Sequence, residues 1–297
     1  MSVPAAYAGL IIIWSTTPLA IKWSSAGPGF LFGVMGRMIL GVLLCLLLLK
    51  ILKIRLPMQP NARRVYLFGG LSLYSAMLAV YWSVQYIPSG LVSVIFGLSP
   101  IITSVLASWW LQESRLTIVK VIGITLGISG LALVFQSGLH VSQQSIYGII
   151  GVLFAVCVHS VSSVWIKSVG QGMSAATITT GELLVAVPLF IITWWFFDGD
   201  LPEEVPVRAG LAILYLGTIG SVIGFMLYFY ILKKMQVATV TLIMLVTPVV
   251  ALFLGHWIDH EPIHNFVWIG TGLILSGMLL HQAPDKFLAR KMLKKQA

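Results

Sequence analysis

Trp14-Ser15-Thr16-Thr17-Pro18-Leu19-Ala20-Ile21-Lys22 and His159-Ser160-Val161-Ser162-Ser163-Val164-Trp165-Ile166-Lys167 are one pattern written twice, 145 residues apart. The same offset carries Gly36-Arg37 onto Gly181-Glu182 without a gap. Further along, Ser99-Pro100 aligns with Thr247-Pro248, Trp109 with Trp257 and Glu113 with Glu261, all at an offset of 148. Ile122-Gly123 and Ser129-Gly130 then align with Ile269-Gly270 and Ser276-Gly277 at an offset of 147. Self-similarity of this kind decides the architecture before any single element does. The chain reads as two copies of one unit, residues 1–138 and 139–297.

Composition says what the unit is made of. Of 297 residues, 58% are hydrophobic and 9% charged, against roughly 25% charged in a soluble domain, and the mean hydropathy is +0.98. A helix crossing a bilayer needs about 20 apolar residues, and such stretches fall at 4–24, 28–50, 64–86, 88–110, 115–136, 146–167, 174–197, 209–232, 236–258 and 264–282. Runs such as Ile39–Leu49 are continuously apolar, whereas strands of a membrane barrel alternate apolar and polar residues. The expected fold is an all-α integral membrane protein of ten transmembrane helices with no soluble domain. The N-terminal Met1-Ser2-Val3-Pro4 carries no basic n-region or cleavage site of a secretory signal, so the first span is expected to stay in the chain. Cys45 and Cys157 both fall inside spans and offer no disulfide framework.

Lys and Arg concentrate in cytoplasmic loops of membrane proteins. With both ends in the cytoplasm, fifteen of the eighteen basic residues lie on that side, including Lys50, Lys53, Arg55, Arg63, Arg64 and the tail from Lys286 to Lys295. Only Arg208 lies in an outer loop; Lys22 ends the first span and Arg37 sits inside the second. The acidic loop with Asp198, Asp200, Glu203 and Glu204 falls outside. The net charge of +9 thus reflects topology and attraction of the tail to anionic lipid, and no nucleic acid is expected as a partner. Five spans per copy is an odd number, so the second copy enters the membrane in the opposite sense. Two inverted five-helix repeats are a common build of secondary transporters, with substrate held near the midplane between the repeats.

These residues also carry a resemblance. The first-span Trp14, Pro18 and Lys22, Arg37 in the second span, Leu98-Ser99-Pro100 with Leu111-Gln112-Glu113 around the fourth, and Val246-Thr247-Pro248 with Glu261 in the second copy together resemble the drug/metabolite transporter superfamily, EamA-like branch. The resemblance covers nearly the whole chain. It implies export or exchange of small metabolites, often amino acids, through a cavity lined by spans one to four and six to nine, with spans five and ten peripheral.

Ionisable residues within spans are costly and mark cavities or partners. Of nine acidic residues, only Glu182 lies well inside a span, and it shares the midplane with Arg37. They are expected either to pair with each other or to meet substrate, Glu182 suiting an ammonium and Arg37 a carboxylate. His159 replaces Trp14 in the repeat, so these two are candidate asymmetric walls. Tyr74, Tyr81, Trp82, Ser99, Ser160, Tyr228 and Thr247 complete the candidate substrate site, an apolar pocket with a few polar contacts. Pro18, Pro100, Pro188 and Pro248 interrupt four spans, each removing a helical hydrogen bond; Pro18, Pro100 and Pro248 are candidate gating points. Trp109, Trp110, Trp194, Trp195 and Trp257, near span ends, are expected to be interface anchors.

His260-Glu261-Pro262-Ile263-His264 matches H-E-x-x-H literally. The zinc chemistry of that motif needs a continuous helix, and Pro262 drives Glu261 away from helical backbone. The motif is therefore set aside, and neither a metal nor any other cofactor is expected. No nucleotide-binding loop is present, which leaves a proton, an ion or a counter-substrate to drive transport. The expected function is a secondary-active inner-membrane exporter or exchanger of small metabolites, amino acids first, working by alternating access. Efflux of lipophilic cations is the alternative within transport; an intramembrane hydrolase is the contrasting class.

Overall fold

The computed structural model describes residues 2–111, 117–141, 143–235, 240, 243–261, 263 and 265–282. Every regular element among them is helical. The order is α1 (Val3–Ser25), α2 (Phe30–Ile51), α3 (Pro60–Ser83), α4 (Ser89–Phe96), α5 (Ser99–Trp110), α6 (Ile118–Val141), α7 (Gln143–Val169), α8 (Ala175–Phe197), α9 (Val207–Tyr215), a π-helical stretch (Leu216–Ile223), α10 (Gly224–Lys234), α11 (Ile243–Asp259) and α12 (Asn265–Gln282). Seven helical segments are long and apolar enough to cross a membrane: α1, α2, α3, Ser89–Trp110, Gln144–Val169, α8 and Val207–Lys234. Three shorter apolar helices, Ile118–Val134, Val246–Asp259 and Asn265–Leu280, stand where spans five, nine and ten are expected.

Local chemistry sets the ends. Pro4 and Pro60 occupy first turns, where the missing N–H would be unsatisfied in any case. Ser174 caps α8 by accepting the Thr177 N–H at 3.1 Å. Between α1 and α2 the chain reverses through Gly27 and Gly29 at φ of +98° and +86°, a region a side chain would resist.

Two expectations about spans change in detail. The fourth is two helices, broken at Gly97-Leu98, where the Gly97 N–H bends back to the Ser93 and Val94 carbonyls. Pro100 therefore starts α5, a position that tolerates proline, whereas its repeat mate Pro248 lies inside α11. Trp194 is buried rather than anchored in the interface, because its face of α8 packs inward. Trp109, Trp195 and Trp257 remain largely exposed. Pro188 is exposed as well.

The most extensive helix contacts join the first part of the chain to the second, and several occur in reciprocal pairs. α2 lies on α8, α4 on α11 and α6 on α12; α3 contacts α7 and α8, while the α9–α10 segment contacts α1 and α2. Glycines show the reciprocity atom by atom. A methyl on Gly130 would lie 2.6 Å from the Gly270 carbonyl oxygen, and one on Gly277 would lie 2.5 Å from that of Gly123. Gly70 faces Val185 and the Glu182 carbonyl at 2.5 and 2.7 Å from such a methyl, and Gly217 faces Leu40 and the Arg37 carbonyl at 2.7 and 3.2 Å. Small residues let membrane helices approach this closely.

Candidate functional site

A central cavity of about 140 Å³ opens between α1, α2, α3, α4, α7, α8, α10 and α11. Six of the predicted substrate-site residues line it together: Trp14, Arg37, His159, Glu182, Tyr228 and Thr247, with Pro18 beside them. Pro18 has no N–H to give the Trp14 carbonyl four residues earlier.

The aromatic corner is built from both halves. The Trp14 and His159 rings meet edge-on with centroids 6.2 Å apart, and Tyr228 lies 5.2 Å from the first and 5.5 Å from the second. Tyr228 is fixed by donating its hydroxyl to Ser163 Oγ at 2.5 Å. Ser163 in turn donates to the His159 carbonyl at 2.6 Å, so the tyrosine and histidine are positioned by one strut on α7.

The two charged residues both line the cavity and do not pair with each other. Glu182 is 4% exposed, and its Oε1 has no hydrogen-bond partner among the described residues. Gly69 makes room for this carboxyl, since a methyl there would collide with it, and the Tyr66 ring lies against neighbouring Gly181. Arg37 is 2% exposed. Its Nε donates to Ser221 Oγ at 2.9 Å, while Nη1 is buried without a partner among the described residues. Buried polar groups are nearly always satisfied. One carboxyl oxygen and one guanidinium nitrogen are thus left without a partner among the described residues, on side chains that line one cavity.

The remaining predicted residues serve elsewhere. Tyr74 exchanges a hydrogen bond with Thr193 at 2.7 Å and packs on Phe190. Tyr81 is fully buried in the core, and Trp82 packs edge-on against Tyr86. Ser99 and Ser160 face each other at 3.3 Å, joining α5 to α7. None of these five is among the cavity-lining side chains. Conversely, Ser72, Ser93, Met77 and Phe96 line the cavity and were not expected there. Ser221 was also missed; the run Gly217, Gly220, Ser221, Gly224 was the available signal, because such a small-residue face admits close approach of α2. That run falls in and just after the π-helical stretch, a local geometry found often at functional sites.

Within the H-E-x-x-H stretch, the described residues His260, Glu261 and Ile263 are not helical. α11 ends at Asp259 and His260 has φ of +52°, and no group of three metal-ligating side chains occurs among the described residues. Pro262, His264 and Glu113 lie outside the described residues. Glu261 instead caps α4, accepting from the Ser89 N–H at 2.9 Å, the Ser89 hydroxyl at 3.0 Å and the Gly90 N–H at 3.4 Å.

Comparison with known proteins gives a family. The EamA-like transporter family matches residues 5–136 and again residues 146–281. An uncharacterized transporter of Bacillus subtilis, YoaV, is 24% identical over 274 residues, covering 91% of this chain and 93% of that one. A probable terminal-alkyne amino-acid exporter of Streptantibioticus cattleyicolor is 22% identical over 281 residues, 90% of this chain and 92% of its own. One protein crystal structure shares the fold with a TM-score of 0.71 at 20% identity, covering 98% of both chains.

Proposed function

Because the chain belongs to the EamA-like transporter family of the drug/metabolite transporter superfamily, we propose that it is a secondary-active exporter or exchanger of small metabolites, amino acids being the substrate class, working by alternating access across the inner membrane. The observation that carries this reading is the pair of buried ionisable side chains, Glu182 and Arg37, on one cavity, each with a polar atom that has no partner among the described residues. A zwitterion would place its ammonium at Glu182 and its carboxylate at the Arg37 guanidinium, whose Nη1 has no partner among the described residues and whose fork suits planar anions. The apolar wall of Ile21, Ala76, Met77 and Val80 would take the rest. Ten spans arranged as two inverted repeats, 1–138 and 139–297, belong to the same proposal; the reciprocal glycine contacts and the double family match support it.

Efflux of lipophilic cations is the second reading, favoured by the Trp14, His159 and Tyr228 rings on the same cavity as Glu182, since aromatic faces attract cations. A thermal-shift panel of amino acids, polyamines, nucleosides and cationic drugs on detergent-purified protein separates the two. Stabilisation by amino acids, followed by counterflow of the unmodified compound in liposomes, is expected. Stabilisation by the cationic drugs alone would replace the first reading with the second.

Orientation is tested independently. In a Cys45→Ala, Cys157→Ala background, Gly199→Cys should react with an impermeant thiol reagent added to intact spheroplasts and Asn61→Cys should not. Labelling at position 61 alone would reverse the topology and the export direction.

A further inference from the structure

At the end of the molecule away from the basic loops, four elements meet in one network of charges. Lys22, near the end of α1, donates to Glu261 Oε1 at 2.8 Å and lies 2.8 Å from Asp259 Oδ2. Asp259 also accepts from Trp23 Nε1 at 3.1 Å and from Arg208 of α9 at 2.9 Å, and the Arg208 guanidinium rests 4.0 Å from the centroid of the Trp23 ring. The network sits directly over the cavity. Ile21 lines the cavity immediately before Lys22, and on α4 Val92 and Ser93 line it one turn beyond the capped Ser89.

The members of this network are not equally committed. Glu261 is held by three bonds from the start of α4 and only one from Lys22, and its backbone is tied to α11, where the Glu261 N–H donates to the Gly255 carbonyl at 3.1 Å. α4 and α11 are thus joined at this end whether or not Lys22 is present. Lys22, by contrast, reaches across from α1 with its side chain 34% exposed, in contact with water that can solvate it on release. Its partners Asp259 and Glu261 are 15% and 3% exposed, so the contact lies between exposed ion pairs, which break and reform readily, and buried ones, which hold.

We infer that Lys22 is a releasable latch that closes the outer mouth of the central cavity. α1 carries the bolt, and the α4–α11 ends carry the keeper. Opening the cavity on this side separates α1 from Asp259 and Glu261 while the Glu261 cap on α4 stays intact.

Access to the cavity tests this without any substrate. A single cysteine replaces Val80, which lines the cavity from α3, in the Cys45→Ala, Cys157→Ala background, and a small impermeant thiol reagent is added to spheroplasts. Gly199→Cys serves as the side marker; if it does not label, the same comparison is made on everted vesicles. With Lys22 present the rate at position 80 should be low, and Lys22→Gln should raise it about tenfold, a bias between that of exposed and that of buried ion pairs. Lys22→Arg should keep the rate low. Glu261→Gln also disturbs the α4 cap, so its melting temperature should fall more than that of Lys22→Gln. An unchanged labelling rate in a well-folded Lys22→Gln protein overturns the latch, as does rapid labelling of position 80 with Lys22 in place. Because the readout is access, its failure leaves the transport reading standing, and failure of the substrate panel leaves the latch standing.

Discussion

Glu182→Gln is expected to lower transport by about 10- to 100-fold while leaving the protein folded and monodisperse. The magnitude follows from the loss of one charge-assisted contact to a bound ammonium or coupling proton, worth about 1.5–3 kcal/mol. The preservation of the fold follows from the geometry. Had Glu182 been the ion-pair partner of Arg37, removing it would strand a buried guanidinium at a cost of about 3–5 kcal/mol. Arg37 instead donates its Nε–H to Ser221 Oγ, and the Glu182 Oε1 has no partner to lose among the described residues. The melting temperature should therefore move by no more than about 2–4 °C, corresponding to about 1 kcal/mol in a chain of this size. Liposome transport and a detergent melting curve measured on one preparation decide the matter. Full transport at unchanged pH dependence would remove Glu182 from the site, and a large drop in melting temperature would show that it holds the helices together.

The second large effect is on folding. Gly70→Ala would put a methyl 2.5 Å from Val185 Cβ and 2.7 Å from the Glu182 carbonyl oxygen. Neither is the flexible end of a side chain, so α3 and α8 must separate, and overpacking of this kind costs about 1–3 kcal/mol. Gly217→Ala meets Leu40 Cβ at 2.7 Å and the Arg37 carbonyl at 3.2 Å and should act in the same direction with smaller size. Gly272 has nothing within 4 Å of its would-be methyl, and alanine favours helix over glycine by about 1 kcal/mol. Gly272→Ala should thus match or exceed the parent. The expected order of melting temperatures is Gly272→Ala highest, then Gly217→Ala, then Gly70→Ala, lower than the parent by several degrees. Equal values for Gly70→Ala and Gly272→Ala would deny the close approach. Because Glu182 is carried on the displaced helix, Gly70→Ala should also reduce transport in the fraction that folds.

The all-helical, membrane-spanning class could be read from the sequence because apolar length is a property of the chain alone. Trp14, His159 and Tyr228 could be found because polar or bulky groups at mid-span are costly unless they face a cavity. The errors share one cause. In a helix with apolar residues on every face, periodicity does not say which face meets lipid and which meets protein, so nothing local separates Tyr74, Tyr81 and Trp82 on α3 from Ser72, Ala76 and Met77, which hold the cavity face. Trp194 was turned outward for the same reason. Ser99 and Ser160 satisfy each other, a pairing between distant spans that no local pattern encodes. The break at Gly97-Leu98 and the π-helical stretch are also set by packing, as propensity scarcely distinguishes them from continuous helix.

The seam between α6 and α12 has a mechanical consequence. Its two close backbone approaches, Gly130 against Gly270 and Gly277 against Gly123, lie at separate points along the same pair of helices. Sliding one helix along the other would bring bulkier neighbours onto both points at once. Rolling about the line that joins the two approaches keeps each glycine opposite its partner. The seam is therefore stiff to translation of one helix along the other, which fixes their register at two points at once.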